Sequence, residues 1–536
     1  MVERAVRRIA ERIVASAPTG WTRAVLGSEA GRGGVSVSGH YTVPGADPSR
    51  RQVPSLFAEL GDVADAVREV RGWERTCLEM VCRPSGEYRL VATADAITGL
   101  RGPGGGFQAV LDPGYRPPQP GSAQEGGTAA PAGDPRLAVA RFHAYLERRA
   151  AILGRPEPLP PPVSAAALNE AERRIGRSLP ADLRALYLIS DGDGIDDDHR
   201  CLLGDSAWLP LEDLVAAHAD HREPVWFGWD LAWDAVVLDA DPPRTVRRCG
   251  GHPAWLPFAS SEDGNYLAVD LAPARDGRPG QIIRIGRDHD GGPSRVADSV
   301  TSLLGHQLRL LEQGAYERRG DHITLREPVR RHGSGSGSGP GPGPGPGPGP
   351  EKIVGEIPDE LPSGLQAIHV NDASGPVDLS RLAVCPDLRR VHLNRCATTD
   401  LTPIRALPVE SLRVTLDGGD LAPLDGHRDL VSLDLGTTAP VDLAPLRTVP
   451  QLRGLDLSRA GVHDLSLLAD LGDLRYLSLT ARQWSALLDE GKAPPTLAAA
   501  RLADGDASLE EALTWAARLG LRTADAVRAH GTLGGG

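Results

Sequence analysis

The sequence predicts a multi-domain chain: an α+β unit first, a second α+β unit in the middle, and an α/β solenoid at the C-terminus. Three observations lead there. The chain has 536 residues, more than one hydrophobic core organises. A run of Gly, Ser and Pro at 333–350 (GSGSGSGPGPGPGPGPGP) has no side chain able to build a core and reads as a tether, and a weaker boundary lies at 117–134 (PPQPGSAQEGGTAAPAGD). Beyond the tether an apolar pattern recurs every 21–23 residues. The expected units are 1–116, a linker at 117–134, 135–332, a tether at 333–350, and 351–536 with a helical cap.

In the first unit an amphipathic Arg/Glu helix pattern spans 2–16. Strand patterns follow at 24–26 and 34–42, then a helix at 53–70, a strand at 76–82, a Pro84-Ser85-Gly86 turn and a strand at 88–94. With Trp21, Tyr41, Trp73, Glu74, Leu78, Gly86 and Tyr88 placed along it, this layout is similar to the YezG-type immunity family. That resemblance implies a toxin-binding module.

The middle unit opens with a helix from Ser164 to Gly176, with Leu168, Ala171 and Ile175 on one face. Leu179-Pro180 starts a second helix through Tyr187, because Pro in a first turn loses no hydrogen bond. Strands are expected at 226–229, 235–238, 266–271 and 281–285, and a helix at 296–311. Helices, then antiparallel strands, then a helix make an α+β unit. The ordered set LPADLRALY (179–187), Asp191-Gly192, WLPF (255–258), NYLAVDL (265–271), GQII (280–283) and VADSV (296–300) resembles the SUKH superfamily. That superfamily includes the Smi/Knr cell-wall regulators of fungi and many bacterial immunity proteins. The resemblance covers about 155–315 and implies a non-enzymatic protein-binding domain, in bacteria often an immunity protein that occludes a secreted toxin.

In the third unit L-x-x-L-x-L recurs from Leu365, Leu388, Val409, Leu430, Leu452 and Leu474, with a degenerate copy from Leu497. Asp-Leu pairs repeat in phase at Asp378, Asp400, Asp420, Asp442 and Asp464. This is the spacing of leucine-rich repeats, in which each short strand buries its alternate Leu and neighbours must stack to build a core. The Asn that commonly follows the strand is found only at Asn394. Leu509, Leu513, Ala516 and Leu519 then adopt helical spacing, as a terminal cap requires.

Composition narrows the function. With 40% apolar and 24% charged residues the chain is neither disordered throughout nor membrane-embedded. The net charge of −13 argues against direct nucleic-acid binding and for a basic partner. It divides as +3 for 1–150, −8 for 151–332 and −8 for 351–536. Lys occurs only at Lys352 and Lys492 against a large excess of Arg, a bias expected of a high-GC bacterial gene. The six cysteines form no C-x-x-C and read as buried thiols. With neither a signal-peptide pattern nor a long apolar run, a cytoplasmic protein is expected.

Few segments of the chain carry residues suited to chemistry. Asp191 to His199 (DGDGIDDDH) suggests oxygen ligands for a metal, yet the twelfth loop position is Leu202 where a calcium loop needs Glu, so an acidic turn is the simpler reading. Asp288-His289-Asp290 reads as a hairpin loop, and Gly102–Gly106 has neither phosphate-loop nor dinucleotide spacing. His252 and Ser261 have no local support as base and nucleophile. No catalytic residue, metal or cofactor is therefore assigned, and the chain is not expected to be an enzyme. Candidate partner-binding residues are Trp226, Trp229 and Trp233 in the acidic middle unit, and Arg390, His392, Arg413, Asp434, Asp456 and Tyr476, which occupy the outward strand positions of the repeats. The expected function is an immunity protein that neutralises a basic, nuclease-like toxin by occlusion. The alternatives are a regulatory scaffold of the Smi/Knr type, and an enzyme whose site is assembled from scattered residues.

Overall fold

The computed structural model describes residues 2–31, 34–45, 52–54, 56–73, 75–94, 97–100, 105–194, 201–221, 235–261, 264–286, 288–289, 291–320, 322–326 and 352–533. The 333–350 tether and the strand expected at 226–229 lie outside them.

Helices α1 (Val2–Ala15) and α2 (Phe57–Arg71) pack on an antiparallel sheet of β1 (Arg23–Gly31), β2 (Gly34–Thr42), β3 (Thr76–Cys82) and β4 (Glu87–Thr93). Val6, Ile9 and Ile13 from α1 and Leu60 and Val63 from α2 meet Leu26, Leu78, Met80 and Leu90 in its core. The buried Tyr41 hydroxyl donates to the Ile13 carbonyl at 2.7 Å, fixing helix to sheet. The fifth strand is not local. Residues Val527–Thr532 (β22), the last strand among the described residues, pair antiparallel with β4, giving the order β2-β1-β3-β4-β22. The Gly86 turn sits under this return strand: its φ is +84°, and a Cβ there would lie 3.0 Å from the Leu533 carbonyl oxygen.

The first unit repays the exchange. Strands β5 (Ile97–Leu100) and β6 (Gly106–Val110) join the far end of the repeat sheet rather than their own. That sheet has ten strands. Parallel β14 (Lys352–Val354), β15 (Ala367–Asn371), β16 (Arg390–Thr398), β17 (Ser411–Leu416), β18 (Ser432–Thr437), β19 (Gly454–Arg459), β20 (Tyr476–Leu479) and β21 (Ala499–Leu502) are followed by antiparallel β6 and β5. Phe107 and Ala109 thus close the leucine core where the repeats run out.

Each recurrent Asp-Leu pair has a physical task. The Leu is buried at 379, 401, 421 and 443. The Asp carboxylate accepts the backbone N–H two residues on, at 2.9 Å (Asp378), 2.8 Å (Asp400), 3.0 Å (Asp420), 2.9 Å (Asp442) and 2.8 Å (Asp464). It takes up an N–H at the start of the short 3₁₀ turn that returns the chain, from the N-cap position at Asp464 and from one residue before it at the other four. The equivalent of Asn394 in the preceding repeat is Asn371, whose Oδ1 accepts Asn394 Nδ2 at 2.8 Å.

The middle unit comprises α3 (Pro135–Leu153), α4 (Ala165–Ile175), α5 (Ala181–Tyr187) and α6 (Leu211–His221), a five-stranded sheet, α7 (Val300–Glu312) and an antiparallel hairpin of β12 (Tyr316–Arg319) and β13 (His322–Leu325). The sheet order is β11 (Ser294–Ala297), β10 (Gln281–Gly286), β9 (Asn265–Asp270), β8 (Trp255–Ser260) and β7 (Ala207–Trp208), all antiparallel. The helix expected from Ser164 to Gly176 is α4, and those two residues are its caps. Two expectations are corrected. Residues 296–297 belong to β11, and α7 begins only after Ser299, whose hydroxyl accepts the Ser302 N–H at 3.0 Å. Residues 235–238 are not a sheet strand; their polar backbone is satisfied partly by the repeat unit, as described below.

Candidate interaction surface

One row of side chains crosses the repeat sheet on the face away from the leucines. In register from strand to strand stand His369, His392, Arg413, Asp434, Asp456, Ser478, Arg501 and Gln108. The row follows from the L-x-L pattern, because the residue between two buried leucines must point the other way.

His369 and His392 stack with centroids 4.8 Å apart, and His392 Nε2 lies 2.8 Å from Ser411 Oγ. Asp434 bridges two guanidiniums, Arg413 at 2.7 Å in the row and Arg459 at 2.7 Å beside it. Asp456 lies 3.6 Å from Arg501. Burial, with the Asp434 charge alongside, holds the Asp456 carboxyl above the usual carboxylate range, against bonds from Ser458 that pull it down. The result is a cation–anion–anion–cation stripe suited to a partner bearing both signs of charge.

The sequence candidates fall into three groups. Trp226, Trp229 and Trp233 lie outside the described residues. Arg390, His392 and Tyr476 are 0%, 2% and 7% exposed, and are engaged within the chain rather than open to a partner. Arg390 Nη2 donates to the Val236 carbonyl at 2.7 Å, and Tyr476 packs with Ala235. Asp456 is largely buried, whereas Arg413 and Asp434 are part-exposed. Sequence periodicity ranked these positions equally because it cannot register a second unit lying against one end of the strands.

The other motifs resolve into structural roles. Of the acidic run, residues 195–200 lie outside the described residues. Asp191 accepts the Leu211 N–H at 2.7 Å at the start of α6, and Asp193 accepts those of Leu202 and Trp208 at 3.1 and 2.9 Å. Asp288 receives Asn265 Nδ2 at 2.7 Å across its loop. His252 Nδ1 accepts the Ala254 N–H at 3.1 Å, and Ser261 Oγ donates to the Asn265 carbonyl at 3.1 Å, so each serves its own turn. Burial, assisted by Arg247 and Arg177, pushes His252 down to about 4. Among the described residues no group of three or more His, Cys, Asp or Glu is placed to hold a metal, and no helix is long and apolar enough to cross a membrane. Five of the six cysteines are buried.

Two buried carboxyls set a pH dependence. Burial pushes both Asp193 and Asp270 up to about 6, against hydrogen bonds that pull them down. A folded-state value above the unfolded one makes the native state bind the proton more tightly. The stabilisation is full below about pH 4 and lost as pH rises through about 6. The unfolding free energy of the middle unit, taken from urea titrations between pH 4 and 7, is expected to fall by on the order of 2–3 kcal/mol per group. Asp270→Asn should remove about half of that slope, and the double variant with Asp193→Asn most of it.

The architecture defines a class: an α+β module joined to a solenoid whose last repeat strand is covered by β6 and β5 from the beginning of the chain. Within it, residues 162–306 match the SMI1/KNR4 family (SUKH-1), so the middle unit contains a SUKH-1 domain, as its residues led us to expect. The chain is similar to the glucan synthesis regulatory protein of Neurospora crassa, at 50% identity over 152 residues covering 23% of this chain and 29% of that one. It is similar to the cell wall biosynthesis/cell cycle regulator smi1 of Schizosaccharomyces pombe, at 47% over 139 residues covering 24% and 27%. It also resembles the cell wall assembly regulator SMI1 of Saccharomyces cerevisiae, at 47% over 49 residues covering 9% and 10%. The matched regions therefore span less than a third of each of these relatives. Among solved structures, an internalin of Listeria monocytogenes aligns over 23% of this chain and 39% of its own, with a TM-score of 0.20 and 24% identity.

Proposed function

We propose that the chain is a regulator that acts by binding other proteins, of the Smi/Knr type, rather than an immunity protein. The SUKH-1 match at 162–306 carries this reading, because the relatives that share it are named as regulators of glucan synthesis and cell-wall assembly. This corrects the weighting that composition and resemblance suggested: the regulatory alternative now leads, and toxin occlusion follows. Arg413, Asp434 and Arg459 are the residues through which the open part of the stripe would engage a partner, since they keep part of their charge in solvent.

The test is deletion of the gene in its source organism and complementation with the full chain. A cell-wall stress phenotype is expected, restored by the wild-type chain and not by Arg413→Glu/Asp434→Arg, with a partner that crosslinks to the wild type alone. Protection against a co-expressed toxin without any wall phenotype would overturn the reading. So would turnover of a small-molecule substrate by the purified chain.

A further inference from the structure

The contact between the SUKH-1 domain and the repeats has the form of a receptor holding a ligand. The residues just before each repeat strand make a rim, tied along its length by main-chain bonds such as Glu410 N–H to the Arg389 carbonyl at 2.7 Å. Residues 235–248 of the middle unit lie on this rim. The Gln366 side chain accepts the Asp239 N–H at 2.6 Å and donates to the Asp239 carbonyl at 3.1 Å, pairing with main chain as a neighbouring strand would. Arg390 donates to the Val236 carbonyl at 2.7 Å. Both oxygens of Glu410 receive Arg248 Nη2, at 2.8 and 2.6 Å, while Arg389 binds Glu410 from its own side at 2.7 Å. Arg248 is held ready by its Nε, which donates to the Val237 carbonyl at 2.6 Å.

Two of these contacts read only main chain, which any sequence supplies. The third demands a guanidinium at a buried carboxylate. The rim is thus built to take a segment whose backbone is open for pairing and which brings one arginine to Glu410. We propose that the rim is a peptide-docking site occupied in the resting chain by residues 235–248, and that an external partner presenting such an arginine-bearing segment must displace the SUKH-1 domain to bind. Occupancy from within the chain stands on the contacts alone; the external partner rests on the protein-binding reading above. The tether keeps the internal segment at high effective concentration, so the resting state is closed.

Four full-length proteins test this: wild type, Arg248→Glu, Glu410→Arg and the double exchange. The probe is a fluorescent synthetic peptide of residues 235–248, read by anisotropy, with hydrogen exchange around 366 and 390 reporting closure. Arg248→Glu should exchange faster and bind the peptide at least tenfold tighter than wild type, because the rim is intact and vacated. Glu410→Arg should exchange faster and bind no peptide. The double exchange should restore slow exchange. Equal peptide binding by all four, or wild-type protection in Arg248→Glu, overturns the assignment. Where Arg248→Glu fails to fold by circular dichroism, Gln366→Ala/Arg390→Ala must still open the rim, and wild-type protection in that variant also overturns it. A closed rim in a chain whose deletion gives no wall phenotype sinks the regulator reading alone; a cellular partner captured equally by wild type and Glu410→Arg sinks the rim as its site alone.

Discussion

Glu157→Ala should destabilise the middle unit by about 3–5 kcal/mol, because it strands a charge rather than deleting a contact. Arg149 and Glu157 expose only 2% and 5% of their side chains. The guanidinium makes two parallel bonds to the carboxylate, Nε to Oε2 at 2.6 Å and Nη2 to Oε1 at 2.8 Å, and a third to the Tyr145 hydroxyl at 3.3 Å. Burial alone would favour losing the Arg149 proton, but the bonds from Glu157 and the neighbouring Tyr145 outweigh it and hold the group above its ordinary value. Removing Glu157 leaves an always-charged group in the interior with one neutral partner. Urea unfolding followed by circular dichroism should show the lower midpoint. Arg149→Met/Glu157→Leu, which removes both charges and keeps volume, should recover most of the loss. A single variant within about 0.5 kcal/mol of wild type would show that water reaches the pair.

Trp484→Ala should cost a similar amount, about 3–5 kcal/mol, in the repeat unit. Helix α8 (Ala481–Asp489) carries Trp484, 1% exposed, against Trp515 of α9 (Leu509–Arg518) with ring centroids 5.7 Å apart. Its Nε1 donates to the Arg501 carbonyl at 2.7 Å, on the strand where β6 joins the repeat sheet. The substitution opens a cavity and removes a donor at the point where the first unit is fastened to the third. Trp484→Phe, which keeps a ring and loses the N–H, should cost less than half as much. Comparing their melting curves separates packing from hydrogen bonding.

Much of the fold was legible because local rules sufficed. Leu168, Ala171 and Ile175 announced α4 by their helical spacing, and the Asp-Leu pairs announced the repeat turns by recurring in phase with the leucines. Ser508 and Glu511 similarly start α9 with a reciprocal cap. Helix α8 was not anticipated, since Trp484 and Leu487 offered too short an apolar face to stand out from the repeat pattern. The candidate surface was half legible. Strand alternation put Arg413, Asp434 and Asp456 in one row, but gave no sign that Arg390 and Tyr476 would be covered by residues 235–236.

The sequence by itself determined the periodic core of the repeats, the α+β order of the middle unit and the SUKH-1 resemblance, because each rests on spacing within a few tens of residues. Only the tertiary structure decided that β22 completes the first sheet, that β5 and β6 close the last one, and that Arg248 seats on Glu410. A strand's own residues specify that it will pair and which face it buries. They do not specify which open edge it meets, and an arginine carries no mark in the sequence of the carboxylate that lies 162 positions away.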